Sequence, residues 1–112
     1  MYLKFKDENK LQYRPLPNVL TIKESPIDGL GLFATARIFT GHIIGTTHVL
    51  DFGFPDNVIR TALGGFINHS DEPNCILVRE GRRLMLKTAG VIRPDDELTL
   101  KYGALEDLSK LP

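Results

Sequence analysis

Cysteine is nearly missing from this chain. Cys75 is its only one, which excludes an internal disulfide and any cysteine-rich zinc cluster and suits a reducing compartment. Charge of one sign is missing too, because fourteen Lys and Arg balance fourteen Asp and Glu. The electrostatic footprint of nucleic-acid binding is therefore absent, and nucleic acid is not expected as a partner. No apolar run approaches the ~20 residues that cross a bilayer. Met1-Tyr2-Leu3-Lys4 does not lead into an apolar signal core. The expectation is a cytoplasmic protein with no membrane partner and no export or organelle address. Internal repeats, low-complexity tracts, linkers and long amphipathic helices are also lacking, which removes solenoids, coiled coils and helical bundles.

What is present reads as one small β domain. With 42% hydrophobic and 25% charged residues over 112 positions, the chain buries somewhat more than ~60% of its unfolded surface, enough for a core without covalent staples. Residues 1–18 read as an N-terminal arm or hairpin broken by Pro15 and Pro17, and residues 19–112 as the domain proper. Residues 19–24 and 30–35 are expected strands around the turn Ser25-Pro26-Ile27-Asp28-Gly29, where Asp-Gly is the strongest hairpin signal. Residues 43–50 form another expected strand and residues 51–57 a loop. Residues 58–63 are a brief strand leading into Gly64-Gly65-Phe66-Ile67-Asn68-His69-Ser70. Residues 76–79 and 82–88 pair across Glu80-Gly81. Residues 97–103 alternate with period two, and only residues 104–110 look helical. Many short strands with turn signals every eight to twelve residues give an all-β class.

Several residue sets suggest chemistry. Gly29-Leu30-Gly31-Leu32-Phe33-Ala34 fits G-x-G-x-x-A, and Asp51 stands about where a ribose-binding acid belongs. That fingerprint needs a helix directly after it, and residues 33–41 are too short and too β-branched for one. The plainer reading gives Gly29 a positive φ in a turn and Gly31 a close backbone approach. His42, His48, His69 and Cys75 are zinc-ligand types, but their spacing fits no closed site. His69, Ser70 and Asp71 name a hydrolytic triad, yet triads converge in space rather than in sequence, and no nucleophile elbow is present. His69 and Tyr102 alone read as a hydrogen-bonded structural histidine and a half-buried core tyrosine.

Taken together and in order, the glycine motif, Phe66-Ile67-Asn68-His69-Ser70 with Pro73-Asn74-Cys75, and Glu97-Leu98-Thr99-Leu100-Lys101-Tyr102-Gly103 closely resemble the SET-domain protein-lysine methyltransferases. The resemblance spans residues 19–103, and the small size is similar to minimal SET proteins of viruses and bacteria, with a host-cell setting if viral. It implies a β-clip of several small sheets with a C-terminal pseudoknot and little helix. It also implies S-adenosylmethionine as cofactor, S-adenosylhomocysteine as product, and a lysine-bearing protein or peptide as substrate. Carried over position by position, Gly29, Leu30, Gly31, Leu32, Phe66, Asn68, His69 and Tyr102 would hold the cofactor, and Tyr102 would stand at the methyl-transfer point. No metal is implied.

The chain departs from the family in four places. Gly65 replaces a frequent arginine, and only about a dozen residues occupy the usual helical substrate insert. The C-terminal segment that walls the lysine channel is short, so residues 104–112 or a second subunit in a homodimer would have to complete it. Leu100 stands where relatives carry an aromatic residue, which favours di- or trimethyl product. The rival readings are a catalytically silent SET-like module that binds cofactor or peptide, and a β-clip interaction protein without cofactor.

Overall fold

Strand β1 (Leu20–Glu24) and strand β2 (Leu30–Ala34) form an antiparallel pair in the register Leu20↔Ala34 to Glu24↔Leu30. The structure is a computed structural model that describes residues 16–54 and 57–103. Most of the expected N-terminal arm and the expected helix at 104–110 lie outside the described residues. The β1–β2 turn spans the five residues expected for it, with Ser25 N donating to Gly29 O at 2.8 Å and Gly29 at φ +46°. Because G-x-G-x-x-A lies across this turn and runs into a strand instead of opening a helix, no helix N-terminus faces a pyrophosphate there.

Strand β3 (Ile43–Leu50), strand β4 (Val58–Arg60), strand β6 (Cys75–Glu80) and strand β7 (Arg83–Thr88) make a four-stranded sheet in the order β4-β3-β7-β6. The edge strand β6 alternates over its first three residues, with Cys75 and Leu77 buried and Ile76 exposed. The inner strand β7 instead buries Leu84, Met85 and Leu86 in succession, as expected of a strand covered on both sides. The β6–β7 hairpin falls where its sequence places it.

Two expectations are corrected. The strand expected at 58–63 stops at Arg60, and a one-turn helix, α1 (Ala62–Phe66), follows it. Thr61 caps that helix, its hydroxyl accepting from Gly64 N at 3.4 Å and donating to Thr46 O at 2.7 Å. Gly64 lets the helix lie directly on β3, since a Cβ there would collide with the Thr47 carbonyl. Cap chemistry and close approach explain this glycine, where an apolar strand reading did not. The second correction concerns 97–103, whose ladder shrinks to β8 (Thr99–Leu100) with Leu98, Thr99 and Leu100 all buried. Period-two burial disappears because the segment has partners on both flanks.

Those flanks are specific. On one side Ala34 N donates to Asp96 O at 2.9 Å, Leu98 N donates to Leu32 O at 2.8 Å, and Phe33 bridges Glu97. On the other side β8 pairs in parallel with strand β5 (Asn68–His69), in the register Asn68↔Thr99 and His69↔Leu100. Parallel neighbours need a long crossover, which the β6–β7 hairpin and the Ile38–Ile92 bridge supply. Asn74 ties the crossing together: its Nδ2 donates to Glu97 O and its Oδ1 accepts from Thr99 N, both at 2.8 Å. The core beneath contains Leu20, Leu32, Leu63, Ile67, Leu77, Leu84, Leu86, Leu98 and Leu100. Each such side chain contributes about 1.5–3 kcal/mol when fully buried, so the crossing is held by apolar burial as well as by its hydrogen bonds.

Candidate functional site

The site is built on the β5–β8 pair. Ile67 is extended (φ −79°, ψ 131°) and leads directly into β5, so Ile67 and Asn68 project to opposite sides of the same backbone. Each side carries its own set of groups.

On the Asn68 side, the amide is buried at 7% exposure. Its Nδ2 lies 3.1 Å from Asp28 O, 3.2 Å from Leu30 O and 2.9 Å from Glu97 Oε2. An NH₂ group has two protons, so three oxygens facing it leave acceptor capacity over. The Ser25 hydroxyl donates to the same carboxylate at 2.9 Å. Gly31 lies against this cluster so tightly that a Cβ would overlap Glu97 Oε2 and stand 3.1 Å from Asn68 Nδ2. The glycine motif and Asn68 are thus brought together, and the close approach read for Gly31 is observed. Leu32 sends its side chain into the core and Phe66 packs against that core, while Leu30 is 48% exposed. Glu97 opens the third motif in the sequence but was not among the residues expected to hold the cofactor. Its only sequence signal is its place three residues after Pro94, at the start of the third motif.

The opposite side is a cavity of about 330 Å³ lined by His48, Arg60, Gly64, Gly65, Ile67, Leu77, Leu100, Lys101, Tyr102 and Gly103. Tyr102 reaches back to β5, its hydroxyl donating to Ile67 O at 3.4 Å. Its backbone N donates to His69 Nδ1 at 2.9 Å, and the two rings stack obliquely at 4.9 Å. Because Nδ1 is an acceptor, Nε2 carries the ring proton and donates to Asp71 Oδ1 at 3.0 Å. His69 is therefore a neutral strut between Asp71 and Tyr102. The Ser70 hydroxyl accepts from Glu72 N and does not bond His69, so the consecutive Ser-His-Asp set forms no triad.

Among the described residues no three His, Cys, Asp or Glu side chains converge on one point. Cys75 is fully buried, and burial pushes its thiol up to about 12, against a hydrogen bond from the Thr99 backbone that acts the other way. His48 is also buried, and desolvation together with the nearby Arg60 guanidinium lowers its pKa. His48 and Arg60 carry no sequence signal for this cavity; only the pairing of β3 with β4 puts them side by side, at His48↔Arg60.

A family profile for the SET domain matches residues 53–103, which include α1, β5, the β6–β7 hairpin, β8 and Tyr102. No curated protein sequence matches the chain. Among solved structures, a Plasmodium falciparum protein assigned as a histone methyltransferase superposes with a TM-score of 0.62 at 24% identity, covering 79% of this chain and 96% of that one. The methyltransferase domain of human PR domain-containing protein 2 superposes with a TM-score of 0.63 at 21% identity, covering 76% and 77%.

Proposed function

We propose that this chain, whose fold is that of the SET domain and whose residues 53–103 match that family, is a protein-lysine methyltransferase using S-adenosylmethionine. The observation that carries the reading is the division of one backbone into two faces. Asn68 and its cluster of oxygens stand on one side, and the cavity with Tyr102 stands on the other, only the Ile67 carbonyl away. A cofactor and an amine held on the two faces would meet at that carbonyl.

The residues fit the cofactor. Its α-ammonium has three protons, and the oxygens of Asp28, Leu30 and Glu97 exceed what the Asn68 amide can satisfy. The missing Cβ of Gly31 is what lets the Glu97 carboxylate sit beside Asn68 at this place. When bound, S-adenosylmethionine supplies a methyl group on a positively charged sulfur. All else falls to the protein. Asn68 and Glu97 fix the ammonium end, and the β8 crossing keeps their spacing. Ile67, Leu77 and Leu100 form an apolar wall that strips water from an entering lysine stem. A lysine with its ordinary pKa of ~10.4 is protonated and carries no lone pair, and desolvation in such a cavity favours the neutral amine. The Tyr102 hydroxyl and the Ile67 carbonyl orient that amine. Leu100 offers no hydroxyl that would keep a water beside it, which leaves room for a second or third methyl group. A protein or peptide substrate fits the histone methyltransferase description of the Plasmodium falciparum relative. Tyr102 is 63% exposed, so residues 104–112 or a second subunit would complete the wall around it.

The test is incubation of the full chain with tritiated S-adenosylmethionine and a cell lysate, then mass spectrometry of the labelled band. Methylated lysine is expected, as di- or trimethyl product. Label on another side chain would overturn the lysine reading. Cofactor binding by calorimetry without transfer to any protein would favour the silent module.

A further inference from the structure

The rim of the cavity carries charge of one sign. Arg60 on β4 and Lys101 after β8 are both exposed, and among the described residues no Asp or Glu lines the cavity with them. Neither cation is neutralised, since the ion pairs among the described residues are Lys23–Asp95 and His69–Asp71. Arg60 is also held in place. A Cβ on Gly64 would stand 2.9 Å from Arg60 Cγ and 3.0 Å from His48 Cε1, so the bare glycine of α1 makes room for both side chains. The arginine stem lies on the helix, and its guanidinium stays close enough to the His48 ring to oppose protonation there. On the Tyr102 side the Asp71 carboxylate accepts from His69 Nε2, across the imidazole from the nitrogen that receives the Tyr102 amide.

We infer that the substrate lysine is flanked by acidic residues, and that Arg60 and Lys101 select it by pairing with their carboxylates. This rests on the methyltransferase reading above and names its substrate class. An ammonium approaching the apolar wall of Ile67, Leu77 and Leu100 meets two like charges at the rim. A lysine set among other basic residues adds to that repulsion. Asp or Glu beside the lysine brings opposite charge to both cations instead, and offsets at the rim what the lysine itself loses. The planar guanidinium of Arg60 suits a carboxylate in particular, because its N–H groups match the two oxygens as a fork.

The test measures binding of labelled peptides to the full chain by fluorescence anisotropy. Glu-Glu-Lys-Glu-Glu is expected to bind about five- to tenfold more tightly than Arg-Arg-Lys-Arg-Arg at low salt, the worth of two exposed ion pairs. That advantage should shrink as salt rises. Glu-Glu-Gln-Glu-Glu should bind more weakly than its lysine counterpart. Reversing both charges, with Arg60→Glu and Lys101→Glu, should reverse the preference. Because the preference is a ratio measured on one protein, partial unfolding of the variant lowers both arms alike. Equal affinities in the parent chain, a preference for the basic peptide, or an acidic preference that persists after charge reversal would overturn the proposal. So would equal binding of the lysine and glutamine peptides, which would reduce the effect to adhesion without a lysine site. The same peptides offered with tritiated S-adenosylmethionine separate the two readings. Acid-selective lysine binding without label transfer would end the methyltransferase reading and leave the acidic preference standing, whereas equal transfer to both peptides would do the reverse.

Discussion

The two faces of the β5–β8 pair use the same backbone to opposite electrostatic ends. The Asn68 face gathers oxygen: two carbonyls, a carboxylate and a hydroxyl around one amide, all tied by bonds of 2.9–3.2 Å. The cavity face gathers cations and apolar walls, Arg60 and Lys101 beside Ile67, Leu77 and Leu100. The first face suits a positive group that stays charged, and the second suits an amine that must lose its charge. An extended backbone makes this separation without further machinery, because consecutive side chains leave it in opposite directions.

The sharpest way to break the comparison is to disable one face and ask whether the other notices. Tyr102→Phe removes the hydroxyl that touches Ile67 O and changes nothing near Asn68. Turnover is expected to drop about 100-fold, the size seen when one oriented donor is deleted from a reacting centre. Affinity for S-adenosylmethionine, measured by calorimetry, should move less than twofold. A comparable loss of both would mean the faces are not separate. Asn68→Ala is the complementary cut, with affinity expected to fall about 10- to 100-fold, the worth of a charge-assisted hydrogen bond at roughly 1.5–3 kcal/mol. It also leaves three oxygens without their shared donor, so the melting temperature should drop. Gly31→Ala tests the same face by crowding. The new methyl group would force Glu97 aside, and overpacking of this kind costs about 1–3 kcal/mol. Unimpaired cofactor binding in Gly31→Ala would show that the cluster is not where the ammonium end sits.

How much of this was legible beforehand depended on whether a feature is local. The β1–β2 and β6–β7 hairpins announce themselves through β-branched runs and turn residues, and both appear within a residue or two of the expected limits. Gly31, Asn68, His69 and Tyr102 stand in recognisable motifs, and the fold brings them to one strand pair. The strand expected at 58–63 hides helix α1 because Gly64-Gly65 weakens any helical pattern; its cap at Thr61 is local, but its seat on the Thr47 carbonyl is a tertiary fact. Glu97 and Asn74 stand in the recognised motifs, but their contacts with Asn68 and Thr99 arise only where the chain crosses itself. His48 and Arg60 are neighbours only through strand pairing.

A smaller effect separates the faces by pH. His48 has its pKa lowered by burial and by Arg60, whereas an unfolded histidine titrates near 6.5. Between the two values the unfolded chain binds a proton that the folded chain refuses, so stability increases with pH across that window. The contribution is complete above about pH 6.5 and is lost as pH falls from there toward the folded value. Chemical denaturation at pH 7.5 and 5.5 should show less acid destabilisation in His48→Gln than in the parent chain. Equal losses would mean that another group carries the acid sensitivity.

The least change is expected from a probe placed beneath both faces. Cys75 opens β6 opposite Thr88, fully buried, with a hydrogen bond from the Thr99 backbone at β8. With its thiol near 12, about one molecule in ten thousand would hold a thiolate at pH 8 even if reagent could reach it. Alkylation of the native chain should therefore be negligible over hours and become rapid only when β8 lifts from β5. Asn74→Ala removes the side chain that holds Glu97 O and Thr99 N, so it should speed labelling while leaving the β6–β7 hairpin paired. Added S-adenosylmethionine should slow labelling again, because ligand that binds only the closed crossing shifts the opening equilibrium toward it. Labelling that follows global unfolding in both proteins would show that the crossing never opens alone, and that the two faces are held together by the core rather than by Asn74.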